Sequence, residues 1–381
     1  MSLKLVIRGG LGIAVLALAG FVAWLFSLPA GPAGSVPAPI GGQEAEAALA
    51  ALKPPKRQRP LIAIIGINDG TETTDYLAPY GILKRADVAD VALLATQPGP
   101  VTLDPALKVS PDATAAEFDR LHPEGADYVI VPRMSRDDDP AALDWIRRQA
   151  ARGATVIGVC AGAKVVGAAG LLDGKRATTH WYFVDELRAD HPSVVYVADR
   201  RFVVDRGVAT TTGITASMPM MLTLIEAIAG RDKAEAVASD LGLAAWDARH
   251  DSGAFGLTRS FAMTVMRNVL AFWNRDELGI PLSPGIDEVS LALVADAWSR
   301  TYRSRAVTVA GSAGAVETRN GLRIIPDKIA PAWPTEKLLP DVGDRNPAEA
   351  LDEALLAISA RYGDRTADVV AVQLEYPRER M

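Results

Sequence analysis

A single cysteine, Cys160, stands in a chain of 381 residues. No intramolecular disulfide can form, and one thiol says little about redox compartment. Histidine is nearly as scarce, with four residues: His122, His180, His191 and His250. Together with Cys160 they show no metal-ligand spacing, so neither a metal nor a cofactor is expected. A basic excess is missing too. Forty Lys and Arg against 46 Asp and Glu leave a net charge of -6, so nucleic acid is not an expected partner. What is abundant is apolar material, 49% of the residues, which is ample for a core in two or three domains.

The most informative stretch runs from Thr155 to Trp181. The β-branched run Thr155-Val156-Ile157-Gly158-Val159 suits a buried strand. Cys160 follows, then the small residues Ala161, Gly162 and Ala163, then a helical pattern (Val165, Val166, Ala169) that stops at Gly170. Strand, tight turn and helix make a nucleophile elbow, which lifts one side chain above the sheet edge. A thiol there meets the positive end of a helix, which favours the thiolate. The local pattern also admits a buried, inert structural cysteine.

The run Val159-Cys160-Ala161-Gly162-Ala163, followed by AGLLDGKRATTHW from Ala169 to Trp181, resembles the ThiJ/PfpI superfamily, also called the DJ-1 superfamily. That superfamily has the class I glutamine-amidotransferase-like fold. The resemblance is strongest to the branch that holds isonitrile hydratases and the sensor domains of AraC-type regulators, and it covers roughly residues 61–229. It implies an α/β fold, a three-layer sandwich around a mainly parallel sheet. It also implies roles. Asp75, four positions before Pro79, matches an acidic residue that tunes the thiol, with Glu72 as the fallback. His180 matches a histidine that moves protons in some members. The backbone amides of Ala161 and Arg133 would hold an oxyanion. Two departures stand out: Ala161 replaces the threonine of isonitrile hydratases or the histidine of protease-like members, and Pro132-Arg133-Met134 replaces Pro-Gly-Gly. The implied chemistry is cysteine-dependent hydration or hydrolysis of a small molecule. The alternative is a non-catalytic ligand-binding or redox-sensing module.

Before this domain, Gly9 to Leu28 is uncharged and about long enough to span a bilayer as a helix. Lys4 and Arg8 precede it, which favours a cytoplasmic N-terminus. Residues 1–30 therefore read as a single-pass anchor in the lipid bilayer, with the globular part outside the cytoplasm; a cleaved signal peptide is the competing reading. Residues 31–60, rich in Pro, Gly and Ala and ending in the basic cluster Lys53, Lys56, Arg57 and Arg59, read as a solvated tether.

Strands alternating with helices over 61–230 imply a parallel sheet whose ligand sites lie at the carboxyl ends of the strands. Residues 231–275 read as a helical connector without a convincing helix-turn-helix. Residues 276–381 read as a degenerate second half-domain. Shifting the chain by 215 places Gly66–Asp112 on Pro281–Asp327 with eight identities, among them Arg85 on Arg300. Ala367 to Leu374 is expected as a further strand. The second half lacks a cysteine and would substitute for the dimer partner common in the superfamily. A homodimer and a chance likeness of two α/β segments are the alternatives.

Overall fold

The computed structural model describes residues 16–17, 19–330, 333–343 and 345–378. Helix α1 (Gly42–Ala51) precedes β1 (Leu61–Gly66), β2 (Asp69–Glu72), α2 (Thr73–Ala86) and β3 (Asp90–Ala95). A hairpin of β4 (Val101–Asp104) and β5 (Lys108–Ser110) leads to β6 (Ala113–Thr114), α3 (Ala115–Leu121) and β7 (Tyr128–Val131). Then come α4 (Pro140–Ala151), β8 (Thr155–Gly158), α5 (Gly162–Ala168), β9 (Arg176–Ala177), α6 (Val184–Asp190) and β10 (Val195–Tyr196). The antiparallel pair β11 (Phe202–Asp205) and β12 (Val208–Thr211) is followed by α7 (Ser217–Ala229), α8 (Arg231–Leu241) and α9 (Arg259–Leu270). The last part holds β13 (Asp276–Pro281), α10 (Glu288–Ser299), β14 (Ser304–Ala310), β15 (Val316–Glu317), β16 (Arg323–Ile324), β17 (Lys328–Ile329), α11 (Pro347–Tyr362) and α12 (Asp364–Leu374).

Among the described residues the main sheet has the order β11-β12-β8-β7-β1-β3-β6, and every neighbouring pair except β11–β12 is parallel. The fold is thus α/β with a mainly parallel sheet. Its strands are apolar on both faces because both are covered. Along β1, Leu61, Ala63 and Ile65 join one apolar cluster with Phe118, Trp145 and Val166, while Ile62 and Ile64 join another with Tyr76, Leu77 and Leu224. The second cluster continues without a break into Leu291, Leu355 and Val370, so α10, α11 and α12 share its core.

An offset of 215 carries β1 onto β13 and β6 onto β17, end for end. The hydrogen bonds follow. Asp112 accepts from the Leu93 amide at 2.8 Å, and Asp327 from the Thr308 amide at 2.9 Å. The Leu103 amide donates to Leu107 at 2.9 Å, and Thr318 to Leu322 at 2.8 Å. One register differs: Leu61 pairs with Asp90, but Asp276 pairs with Ser304, one residue short of the offset.

Three expectations are corrected. The first is the membrane anchor over Gly9 to Leu28. Residues 1–15 and 18 lie outside the described residues, and among those described no helix is long and apolar enough to cross a membrane. The described end of that stretch rests on the body instead. The Arg259 guanidinium lies 4.8 Å from the Phe26 ring centroid and donates to the Phe26 carbonyl at 3.0 Å. The single-pass, extracytoplasmic localisation and the bilayer partner fall with the anchor.

The second is the solvated tether. Leu52 is fully buried in the core, and its carbonyl accepts the Tyr128 hydroxyl at 2.7 Å. Arg57 pairs with buried Asp127 at 2.6 Å and Arg59 with Asp90 at 2.8 Å, so these basic residues serve the domain. The third is the strand at Ala367 to Leu374, which is helix α12. Ala367, Val370, Ala371 and Leu374 are buried at a spacing of three and four, so the helical period outweighs the β-branched composition.

Candidate functional site around Cys160

The chain turns sharply where β8 ends. The Val159 amide donates to Val131 at 2.8 Å, and Cys160 then adopts a φ of 57°. A left-handed backbone costs a non-glycine residue roughly 1–2 kcal/mol, so the surroundings must hold it. They do so with two threonines. The Cys160 amide donates to Thr211 Oγ1 at 2.9 Å, and its carbonyl accepts the Thr179 hydroxyl at 3.1 Å. Gly162 is required by close approach, since a Cβ there would lie 2.0 Å from the Val131 oxygen. Strand β8, the left-handed turn at Cys160 and helix α5 thus follow one another directly.

Asp75 comes from the first turn of α2. Its Oδ2 accepts the Arg133 amide at 3.2 Å, and its buried Oδ1 finds no hydrogen-bond partner among the described residues. Burial raises its carboxyl from 3.8 to about 7, although the Arg133 amide pulls the other way. Glu72 caps the helix, accepting the Asp75 amide at 2.5 Å. Its own carboxyl is pushed well above the usual range by burial, then by the charges of Asp296 and Asp75.

Cys160 itself is 2% exposed. Burial pushes its thiol well above the ordinary value, and the charges of Asp75 and then Glu72 push the same way. The Ala161 amide, bonded to the sulfur, opposes them. The thiolate expected from the helix end is thus outweighed in the closed site: a helix of seven residues cannot offset complete desolvation next to two carboxyls.

The structure brings Cys160, Asp75, Ala161 and Arg133 together, but it reassigns two of the expected roles. The Arg133 amide, the expected oxyanion donor, is already bound to Asp75, and one guanidinium nitrogen pairs with Asp104 at 2.7 Å. His180 lies near the site with both ring nitrogens engaged by backbone. Nδ1 accepts the Tyr182 amide at 3.1 Å, so Nε2 carries the hydrogen and donates to the Gln373 carbonyl at 2.9 Å. That ring is a structural link, and burial lowers its pKa, keeping it neutral.

Residues from the end of the chain complete the surroundings. Glu375 Oε1 accepts the Trp181 amide at 2.7 Å, its other oxygen lies 3.1 Å from His250, and its main-chain carbonyl accepts the Thr215 hydroxyl at 3.0 Å. Burial alone would raise this carboxyl. The close contact with His250 first, and then the neighbouring His180 ring, bring it down to about 2. From α10, Arg300 donates to Glu72 at 2.8 Å and to Asp296 at 2.5 Å. Neither Glu375 nor Arg300 carries a local motif; only the repeat, which places Arg85 on Arg300, gave a handle on the latter. Among the described residues no cluster of His, Cys, Asp and Glu is arranged to hold a metal ion.

Residues 62–227 match the model of the DJ-1/PfpI family. The isonitrile hydratase of Pseudomonas putida is 38% identical over 167 residues, which cover 43% of this chain and 70% of that enzyme. The HTH-type transcriptional regulator CdhR of Pseudomonas aeruginosa is 40% identical over 86 residues, 23% of this chain and only 25% of the regulator. Among solved structures, a ThiJ/PfpI family protein from Pseudomonas syringae aligns with a TM-score of 0.43 at 26% identity, covering 48% of this chain and 74% of that one.

Proposed function

As the chain belongs to the DJ-1/PfpI family, we propose that Cys160 is the nucleophile of a hydratase or hydrolase site for a small polar electrophile, with Asp75 as its proton carrier. The observation that carries this reading is the pairing of a left-handed elbow cysteine with a buried carboxyl poised at about 7. A strained backbone and a carboxyl tuned to neutrality both cost stability, and such costs cluster at working sites.

The step is balanced as follows. The Cys160 thiol gives its proton to the Asp75 carboxylate as its sulfur forms a bond to an electron-poor carbon, and Asp75 hands that proton to the substrate where negative charge develops. Water then adds to that carbon, the carbon–sulfur bond breaks, and one proton of the water returns through Asp75 to the sulfur, the other staying with the product. The net change is addition of one water. The Ala161 amide stabilises the negative charge that develops on the sulfur as its proton leaves and as the carbon–sulfur bond breaks.

Burial of the thiol favours a second reading, a ligand-binding or redox-sensing module in which Cys160 does no turnover. One experiment separates them: incubation of the purified protein and its Cys160→Ser variant with a panel of small isonitriles and nitriles, followed by product detection. Turnover by the parent, with a loss of about 1,000-fold or more in the variant, supports the enzyme. No turnover by either, with reversible thermal stabilisation of both by a panel member, supports the binding module.

A further inference from the structure

The offset of 215 that relates the two parts also relates them in space. Strands β5 and β16 occupy equivalent places, and they pair with each other, antiparallel, with Val109 opposite Ile324 and Ser110 opposite Arg323. Val109 and Ile324 are themselves equivalent, so a local two-fold axis passes through this pair. Helices α2 and α10 are equivalent and pack together.

The ion pairs across the interface obey the same symmetry. Arg85 pairs with Asp287, and Arg300 pairs with Glu72. Arg85 corresponds to Arg300 and Glu72 to Asp287, so these are one contact made twice. The caps agree as well, Glu72 accepting the Asp75 amide and Asp287 the Ser290 amide. An interface in which residue i meets j while j meets i is the signature of two copies of one unit meeting face to face.

The symmetry breaks where the chemistry lies. Asp75 is matched by Ser290, and the same offset carries Cys160 onto Glu375, so the second part holds no thiol. Gly81 is matched by Asp296, which clamps Arg300 from one side while Glu72 takes it from the other. Arg85, by contrast, reaches outward to Asp240 at 3.1 Å.

We infer that the C-terminal part is a resident partner for the thiol site and that Arg300 is its positioning residue, holding Glu72, and through Glu72 the first turn of α2 with Asp75, in register with Cys160. This rests on the proposed function of Cys160. Asp75 is faced by Glu72 on its own helix, Asp296 and Arg300 from α10, Arg133 from the segment after β7, and Cys160 from the elbow; Glu375 and His180 stand further round the thiol. Arg300 carries the cation that balances this group of acids, since the Arg133 guanidinium is taken by Asp104.

The test is the pH profile of Cys160 alkylation by iodoacetamide on the full chain. The single cysteine makes the signal unambiguous. Arg300→Met is expected to move the midpoint upward by roughly one unit or more, because the nearby acids and the thiol then ionise without their cation. Arg300→Lys should lie between the two. Arg85→Met, which breaks the symmetry-related ion pair at the same interface, should leave the midpoint in place. Equal shifts in Arg85→Met and Arg300→Met, or no shift in either, would overturn the inference. If Arg300→Met does not fold, Arg300→Lys against Arg85→Met decides it by the same criterion. Turnover that survives Cys160→Ser would remove the proposed function while leaving this comparison intact.

Discussion

The Arg133 amide donates to Asp75 Oδ2 across 3.2 Å, and this bond sets the character of the site. It ties the segment after β7 to the first turn of α2. It also occupies the amide expected as an oxyanion donor, which leaves the free oxygen of Asp75 as the polar atom beside the thiol.

Asp75 should cost stability at high pH. Its carboxyl is raised from 3.8 to about 7 in the fold, so between those values the folded chain holds a proton that the unfolded chain has released. Stability therefore falls as pH climbs through that window. Asp75→Asn is expected to be more stable than the parent above pH 7, by about 2–4 kcal/mol, with the two converging below about pH 4. Urea unfolding at both pH values measures it, and equal stability at the higher one refutes it.

Glu375 should behave in the opposite sense. Its folded value of about 2 lies below the ordinary 4.5, so its contribution is present above about pH 4.5 and lost as pH falls towards 2. Glu375→Gln is expected to lose roughly 3 kcal/mol at neutral pH, with the deficit vanishing towards pH 2. A deficit independent of pH would assign the loss to packing alone.

His180 should matter for the fold and not for the thiol. With both ring nitrogens bonded to backbone, His180→Ala is expected to lose about 1–3 kcal/mol by leaving those groups unpaired. The midpoint of Cys160 alkylation should stay put. A shifted midpoint with unchanged stability would restore the histidine to the proton path.

Gly162→Ala should be among the most damaging small changes in the protein. The new methyl would lie 2.0 Å from the Val131 oxygen, which is backbone and cannot swing aside. A loss of about 3 kcal/mol or more is expected, read as a lowered melting temperature.

The sequence was most legible where structure is local. The strand, small turn and helix could be read because they are contiguous from Thr155 to Ala168, whereas Asp75 was singled out by the resemblance, through its place four positions before Pro79. The role of His180 could not be read, because its partner Gln373 lies 193 positions away. Arg133 was misjudged for a related reason: its residue type was visible, but the destination of its amide was set by a helix from another part of the chain. Residues 31–60 look like a tether by composition, yet Leu52 and Arg57 find partners that no local pattern announces. In α12, apolar residues at 367, 369, 370, 371, 372 and 374 satisfy either period, and the choice was made by the core they met.

The pairing of β5 with β16 joins two stretches of one polypeptide. A surface that two separate molecules would share obeys mass action, so a site leaning on it fades on dilution. Here the neighbour is covalently attached. Arg300 stays beside Glu72 at any protein concentration.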